Sequence, residues 1–307
     1  MCLCMVEGSC RKGKYQKTLR GMEMEQTQEK LVSGEQNLSE MDARGVIGQA
    51  LQLQSIGSIS GPAEQMKNED VAMDGNSVQL NTVRHNSIFN PETFGNRRVD
   101  VIGCGAVGSR IAMEVARLGV TTLHLWDFDT IESHNIANQL FGLDDIGRPK
   151  VEALSGAILK ATGLSPCIHN QRIQDEVELG DVVFFAVDTM SARKLIFDTC
   201  IHLKMSTKIV IEVRMGEKEL RVYTFDPSSR SGVSDWRGTL TDDVVTVESS
   251  CGTRTTIGST AEITAGLAVH SLLQYYHCCV EMKDGVRPAF EQIMSLWPLM
   301  TITKGEF

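Results

Sequence analysis

The segment VDVIGCGAVGS, Val99 to Ser109, constrains the fold of this chain more than any other stretch. An apolar, largely β-branched run predicts a strand. It passes directly into Gly103, Gly105 and Gly108, spaced G-x-G-x-x-G, at the head of a helical stretch, Ala106–Leu118. In that setting the first glycine permits a tight turn, the second lets backbone approach a phosphate, and the third lets helix and strand pack closely. The N–H groups of the helix start then face the anion. The expectation is a nucleotide-binding strand–helix–strand unit, with a glycine-rich structural turn as the alternative.

The rest of the chain repeats the alternation. Strands are expected in Thr121–Asp127, Ile168–Ile173, Asp181–Val187, Lys208–Val213 and Glu219–Pro227. Helices are expected over Pro149–Ala161, Ser191–Lys204 and Ser259–Tyr276, the last carrying the small residues Ala261, Ala265, Gly266 and Ala268. Ser228–Thr253, which includes Trp236, reads as a polar excursion. This order predicts an α/β fold: a Rossmann-like, doubly wound, mostly parallel sheet flanked by helices. Residues 1–87 hold one aromatic residue, Tyr15, and sustain no apolar period, so they are expected to be a disordered N-terminal extension. Its basic run, Arg11 to Arg20, is a solvated tail or a partner contact. Residues 88–307 form the expected nucleotide-binding domain.

Composition narrows the class. With 42% hydrophobic residues the chain can build a substantial core, and a net charge of −9 argues against general affinity for nucleic acid or an anionic membrane. It contains no apolar run long enough to span a bilayer. A cytoplasmic protein is the expectation. The nine cysteines fall at irregular spacings, which suits reduced thiols. None forms a C-x-x-C pair, and the adjacent Cys278 and Cys279 beside His277 make poor tetrahedral ligands.

Asp127, at the end of the second strand, is placed to accept hydrogen bonds from ribose hydroxyls. Dinucleotide and ATP sites share that need, so these residues indicate a nucleotide without choosing one. The following segment, DFDTIESHNIANQLFGLDDIGRPKVEAL, does choose. It resembles the ThiF/MoeB/HesA and ubiquitin-activating-enzyme superfamily in Asp127 and Asp129, then Asn135, Asn138 and Gln139, then Gly147 and Lys150 leading a helix. The resemblance continues in AVDTMSARKLI, with Asp188 and Arg193, and covers roughly Arg98 to Tyr276. It implies adenylation of a carboxylate with ATP and Mg²⁺. The implied substrate is the C-terminus of a ubiquitin-like or sulfur-carrier protein, or a peptide, handled by a homodimer.

The matched residues make chemical sense on their own. A carboxylate attacking the α-phosphate while pyrophosphate leaves requires fixed donors and metal to neutralise developing charge. Lys150 supplies a point charge, Asp188 at the carboxyl end of the fourth strand suits Mg²⁺, and Asn135 and Gln139 offer neutral donors. Plainer roles are a solvated Lys150, Asp188 as a helix cap, and a structural Arg193. Asn138 stands where better-known members carry arginine, so the missing cation must come from Arg148, Arg84, Arg98, a second subunit, or nowhere. Cys251, in a polar loop before a helix, is either an acyl-accepting nucleophile or an incidental thiol. Cys104, inside the glycine loop, reads as structural. An NAD(P)-dependent oxidoreductase and a non-catalytic nucleotide-binding subunit remain the competing functions.

Overall fold

The computed structural model describes residues 80–216, 218–241, 257–283 and 287–307. Its strands are β1 (Val99–Ile102), β2 (Leu123–Trp126), β3 (Cys167–His169), β4 (Val182–Phe185), β5 (Ile209–Met215), β6 (Glu219–Phe225), β7 (Glu291–Leu296) and β8 (Leu299–Lys304). Its α-helices are α1 (Pro91–Phe94), α2 (Gly108–Arg117), α3 (Lys150–Thr162), α4 (Met190–Ile196), α5 (Arg230–Gly238) and α6 (Gly258–Tyr275). The strands make one sheet in the order β3-β2-β1-β4-β5-β6-β7-β8. From β3 to β5 all neighbours are parallel, and from β5 to β8 all are antiparallel.

The parallel strands are apolar along nearly their whole length because both faces are covered. On one face Val99, Val101, Leu125, Phe184 and Ile211 pack with residues of α2, α3 and α6. On the other, Ile102, Val183, Phe185 and Val210 pack with Phe197 and Trp236. The small residues Ala261, Ala265 and Ala268 of α6 are buried, which lets that helix lie close to the sheet and α2. A side chain on Gly266 would meet nothing within 4 Å, so that position faces outward.

The polar excursion expected over Ser228–Thr253 is corrected in its first part: residues Arg230–Gly238 form α5 and bury Trp236 completely. Ser229 caps this helix by accepting a hydrogen bond from Gly232 N–H, so the polar residues mark its start. Strands β7 and β8 are additions to the expected set. The β8 residues are exposed throughout, so this edge strand is unpacked on both faces.

Two lone acids in apolar strands organise the sheet. Asp100 in β1 is fully buried and accepts hydrogen bonds from Trp126 Nε1, Gly180 N–H and Arg98 Nη2, each at 2.7 Å. Glu212 in β5, also fully buried, is held by Arg193 at 2.6 Å, by Arg214 at 2.6 and 2.9 Å, and by Trp236 Nε1 at 2.6 Å. Arg193 further donates to the Val213 carbonyl at 3.0 Å. The arginine read as structural therefore anchors α4 to the sheet.

Candidate nucleotide site

The glycine loop joins β1 to α2 at the carboxyl edge of the parallel strands, the edge where open α/β sheets bind ligands. Its three glycines have different constraints. Gly103 has φ +92°, and a Cβ there would lie 2.6 Å from the Ala186 carbonyl oxygen. At Gly108 a Cβ would lie 1.7 Å from the Gly103 carbonyl oxygen, so helix and loop close on each other only without a side chain. Gly105 has nothing within 4 Å of that position. Two glycines serve packing, and the middle one opens onto space. Helix α2 starts without a side-chain cap; the Ser109 and Arg110 N–H groups donate to the Gly105 and Val107 carbonyls, and its positive dipole end faces the loop.

Asp127 is buried just past β2 and locked in place. Its Oδ2 accepts from Cys104 N–H at 2.7 Å and its Oδ1 from Asp129 N–H at 2.9 Å. Burial raises its pKa, while the Lys150 charge and these two N–H groups oppose the shift. Cys104 is itself fully buried, and burial together with the Asp127 charge pushes its thiol well up, which makes it structural and unreactive.

Lys150 is the first residue of α3, buried, with Nζ 2.8 Å from Asp129 Oδ2. Its backbone N–H donates to the Asp129 carbonyl at 3.0 Å. Gly147, at φ +88°, turns the chain into this helix. Glycine loop, Asp127, Asp129 and Lys150 thus form one cluster.

Asn135, Asn138 and Gln139 share a short turn. Asn135 Oδ1 accepts from Glu132 N–H at 2.9 Å, and its carbonyl accepts from the N–H groups of Asn138 and Gln139. Gln139 Oε1 is buried and accepts no hydrogen bond within the described residues. This turn is tied to the glycine-loop helix by Arg110, whose Nη1 donates to the carbonyls of Ala106 at 2.6 Å and Asn138 at 2.8 Å. Its Nε reaches Glu262 on α6 at 2.6 Å. Arg110 lay outside the sequence-based set. Its signal was a cation two residues past Gly108, on a helix face that is otherwise buried.

Asp188 is exposed, three residues beyond β4, one position past Val187, whose nitrogen crowds Gly103. The cap of α4 is Thr189, which accepts from Ala192 N–H at 3.2 Å, and not Asp188. Of the cations considered in place of arginine at 138, Arg98 is engaged with Asp100 at the amino end of β1, the opposite edge of the sheet. Arg148 is paired with Asp145 at 2.6 Å. Near Arg84, Thr82 packs by Gly119 at the far end of α2, away from the glycine loop. Cys251 lies outside the described residues.

The ThiF family model matches residues 77–294. The sulfur carrier protein ThiS adenylyltransferase of Escherichia coli (strain K12) is 28% identical over 148 residues, 46% of this chain and 53% of that protein. The NEDD8-activating enzyme E1 catalytic subunit of Arabidopsis thaliana is 32% identical over 105 residues, 32% of this chain and 23% of that protein. The alignments thus take in about half or less of these relatives. Among solved structures, Escherichia coli MccB with ATP matches at a TM-score of 0.53 and 14% identity, over 70% of this chain and 65% of MccB, a likeness of fold. Since the family model takes in well over half of its length and the sheet carries the glycine loop, the chain belongs to the ThiF family.

Proposed function

We propose that the chain is an ATP-dependent adenylyltransferase that activates a carboxylate, the C-terminus of a ubiquitin-like or sulfur-carrier protein or of a peptide. The observation that carries the reading is Lys150, buried at a helix start and held beside Asp127 by Asp129, next to a glycine loop whose centre is open. An oxidoreductase needs the loop and Asp127, and has no use for a lysine held there. The related proteins named adenylyltransferases, and the MccB structures with ATP and with MccA, support the same reading.

In this reading the loop N–H groups and the start of α2 bind phosphate, and Asp127 takes the ribose. Lys150, Asn135, Asn138 and Gln139 line the phosphate path. The substrate carboxylate oxygen bonds to the α-phosphorus as the bond to pyrophosphate breaks, and Lys150 offsets charge on the phosphoryl oxygens. Asp188, an exposed carboxylate at the same sheet edge, fits Mg²⁺, which takes a few carboxylates together with phosphate oxygens and water. Bound there, Mg²⁺ supplies Lewis-acid neutralisation of the phosphates. Cys251 is assigned the later acyl transfer. The working unit in this reading is a homodimer.

ATP–pyrophosphate exchange dependent on an added carrier protein or peptide tests the proposal, with calorimetry against ATP, NAD and NADP beside it. Binding of NAD in preference to ATP would overturn it. A second reading, a nucleotide-binding subunit without turnover, is favoured by Asn138 together with the commitment of Arg110 to two carbonyls and Glu262. ATP binding without exchange would select it.

A further inference from the structure

On the second face of the sheet, at its β3 edge, three metal-ligating side chains converge. His124 and Cys167 are register partners on β2 and β3, as are Trp126 and His169. Residues two apart on a strand share a face, so His124, Cys167 and His169 project together. His124 Nδ1 lies 3.0 Å from His169 Nε2, and Cys167 Sγ lies 3.7 Å from the same Nε2. All three donor atoms fall within 4.8 Å of one another. Among the described residues this is the one such group.

We propose that this cluster is a binding site for a borderline-soft divalent ion, zinc by preference, with the donor set His124 Nδ1, His169 Nε2 and Cys167 Sγ. Zinc–nitrogen bonds of about 2.0 Å and zinc–sulfur bonds of about 2.3 Å in a tetrahedron set ligand atoms about 3.3 Å apart for two nitrogens and about 3.6 Å apart for nitrogen and sulfur. The His124–His169 and Cys167–His169 separations, 3.0 and 3.7 Å, need adjust by only a few tenths of an ångström, and the third lies within 4.8 Å. Two imidazoles and a thiolate suit zinc better than magnesium or calcium, which prefer oxygen.

The surroundings prepare the site. The His169 ring stacks on Trp126 at 3.6 Å and 8°, which fixes its plane. Trp126 is in turn fixed by its hydrogen bond to Asp100. Ligation puts the ring protons on His124 Nε2 and His169 Nδ1, and releases the Cys167 thiol proton to solvent. Asp100 is already bonded to Arg98, Trp126 and Gly180, so the fourth position is left to water. The ion ties the three-residue edge strand β3 to β2. The backbone of His169 accepts from Asp127 N–H at 3.2 Å, so the same tie steadies the residue assigned to the ribose.

The test uses the full-length chain, reduced and stripped with chelator, titrated with Zn²⁺ against a chromophoric competitor and separately with Co²⁺. Because the chain has nine cysteines, the readout is the difference between wild type and Cys167→Ser, a change at an exposed position. Wild type should bind one more equivalent of Zn²⁺ than Cys167→Ser and gain thermal stability with it. Its Co²⁺ form should show a thiolate charge-transfer band that Cys167→Ser lacks. His124→Gln should weaken that equivalent by at least about tenfold. Equal uptake by wild type and Cys167→Ser, or a Co²⁺ spectrum that the substitution leaves unchanged, would overturn the proposal and leave a hydrogen-bonded histidine pair.

Discussion

Lys150 occupies the first position of α3, where the helix dipole opposes a cation, and Asp129 Oδ2 holds its ammonium at 2.8 Å. The pair keeps a positive charge beside the carboxylate of Asp127 and next to the open centre of the glycine loop. Helix start and lysine together favour an anion more than either alone.

Lys150→Ala is expected to slow ATP–pyrophosphate exchange by on the order of 10²-fold, since it removes preorganised charge stabilisation. Its stability should change by less than about 1 kcal/mol, because Asp129 is half exposed and water can solvate it. Asp129→Ala should be the more destabilising of the two, as it leaves a buried ammonium without its counter-ion. Urea midpoints of the two variants check the order.

The glycines separate packing from binding. Gly108→Ala should cost at least about 1–3 kcal/mol or prevent folding, since a Cβ there meets the Gly103 carbonyl and neither backbone can withdraw. Gly105→Ala should fold normally and lose ATP affinity. Circular dichroism melts with parallel calorimetry distinguish the two, and intact ATP binding by Gly105→Ala would count against the phosphate assignment.

Glu212→Ala is expected to destabilise by about 3–5 kcal/mol, because it strands Arg193, Arg214 and Trp236 Nε1 around a buried void. Arg193 secures α4, whose first turn follows Asp188, so Arg193→Met should lower exchange with less effect on ATP affinity. An Arg193→Met protein with normal stability and normal exchange would contradict the anchoring role.

Glu291 on β7 gives the pH dependence. Burial pushes its carboxyl up, but hydrogen bonds from Lys304 at 3.0 Å and Tyr223 at 2.9 Å, with the Lys304 and Arg221 charges, outweigh it and hold it below its ordinary value of 4.5. A depressed folded-state value means the stabilisation is full above the unfolded value and disappears as pH falls through the folded one. Wild type should therefore exceed Glu291→Gln in stability at pH 7, with the gap closing in acid below about pH 4.5. A gap that stays constant down to pH 3 would refute this.

The family, the sheet and the glycine loop were legible because they depend on local periodicity and on residues adjacent in sequence. Val99, Val101 and Ile102 are apolar, and Gly103, Gly105 and Gly108 follow at a spacing that only a strand-to-helix turn requires. Residues 127 to 150 carried their motif for the same reason. Trp236 was misplaced because the polar residues around it, Ser229 to Arg237, read as loop, whereas they form the cap and outer face of a helix. Asp100 and Glu212 are lone acids in apolar strands, and nothing local in the sequence names their partners.

Tertiary structure alone decided which groups meet across distance. Arg110 to Asn138 and Glu212 to Arg193 are contacts set by how helix, turn and sheet pack, and His124 to Cys167 and His169 by strand order and register, where a one-residue shift would turn a strand's side chains to the opposite face. It also assigned the cap of α4 to Thr189 and left Asp188 at the sheet edge. Sequence fixes what lies along the chain because propensity and periodicity act over a few residues. What lies across the sheet follows from strand order and from how the sheet packs against its helices, which no local pattern encodes.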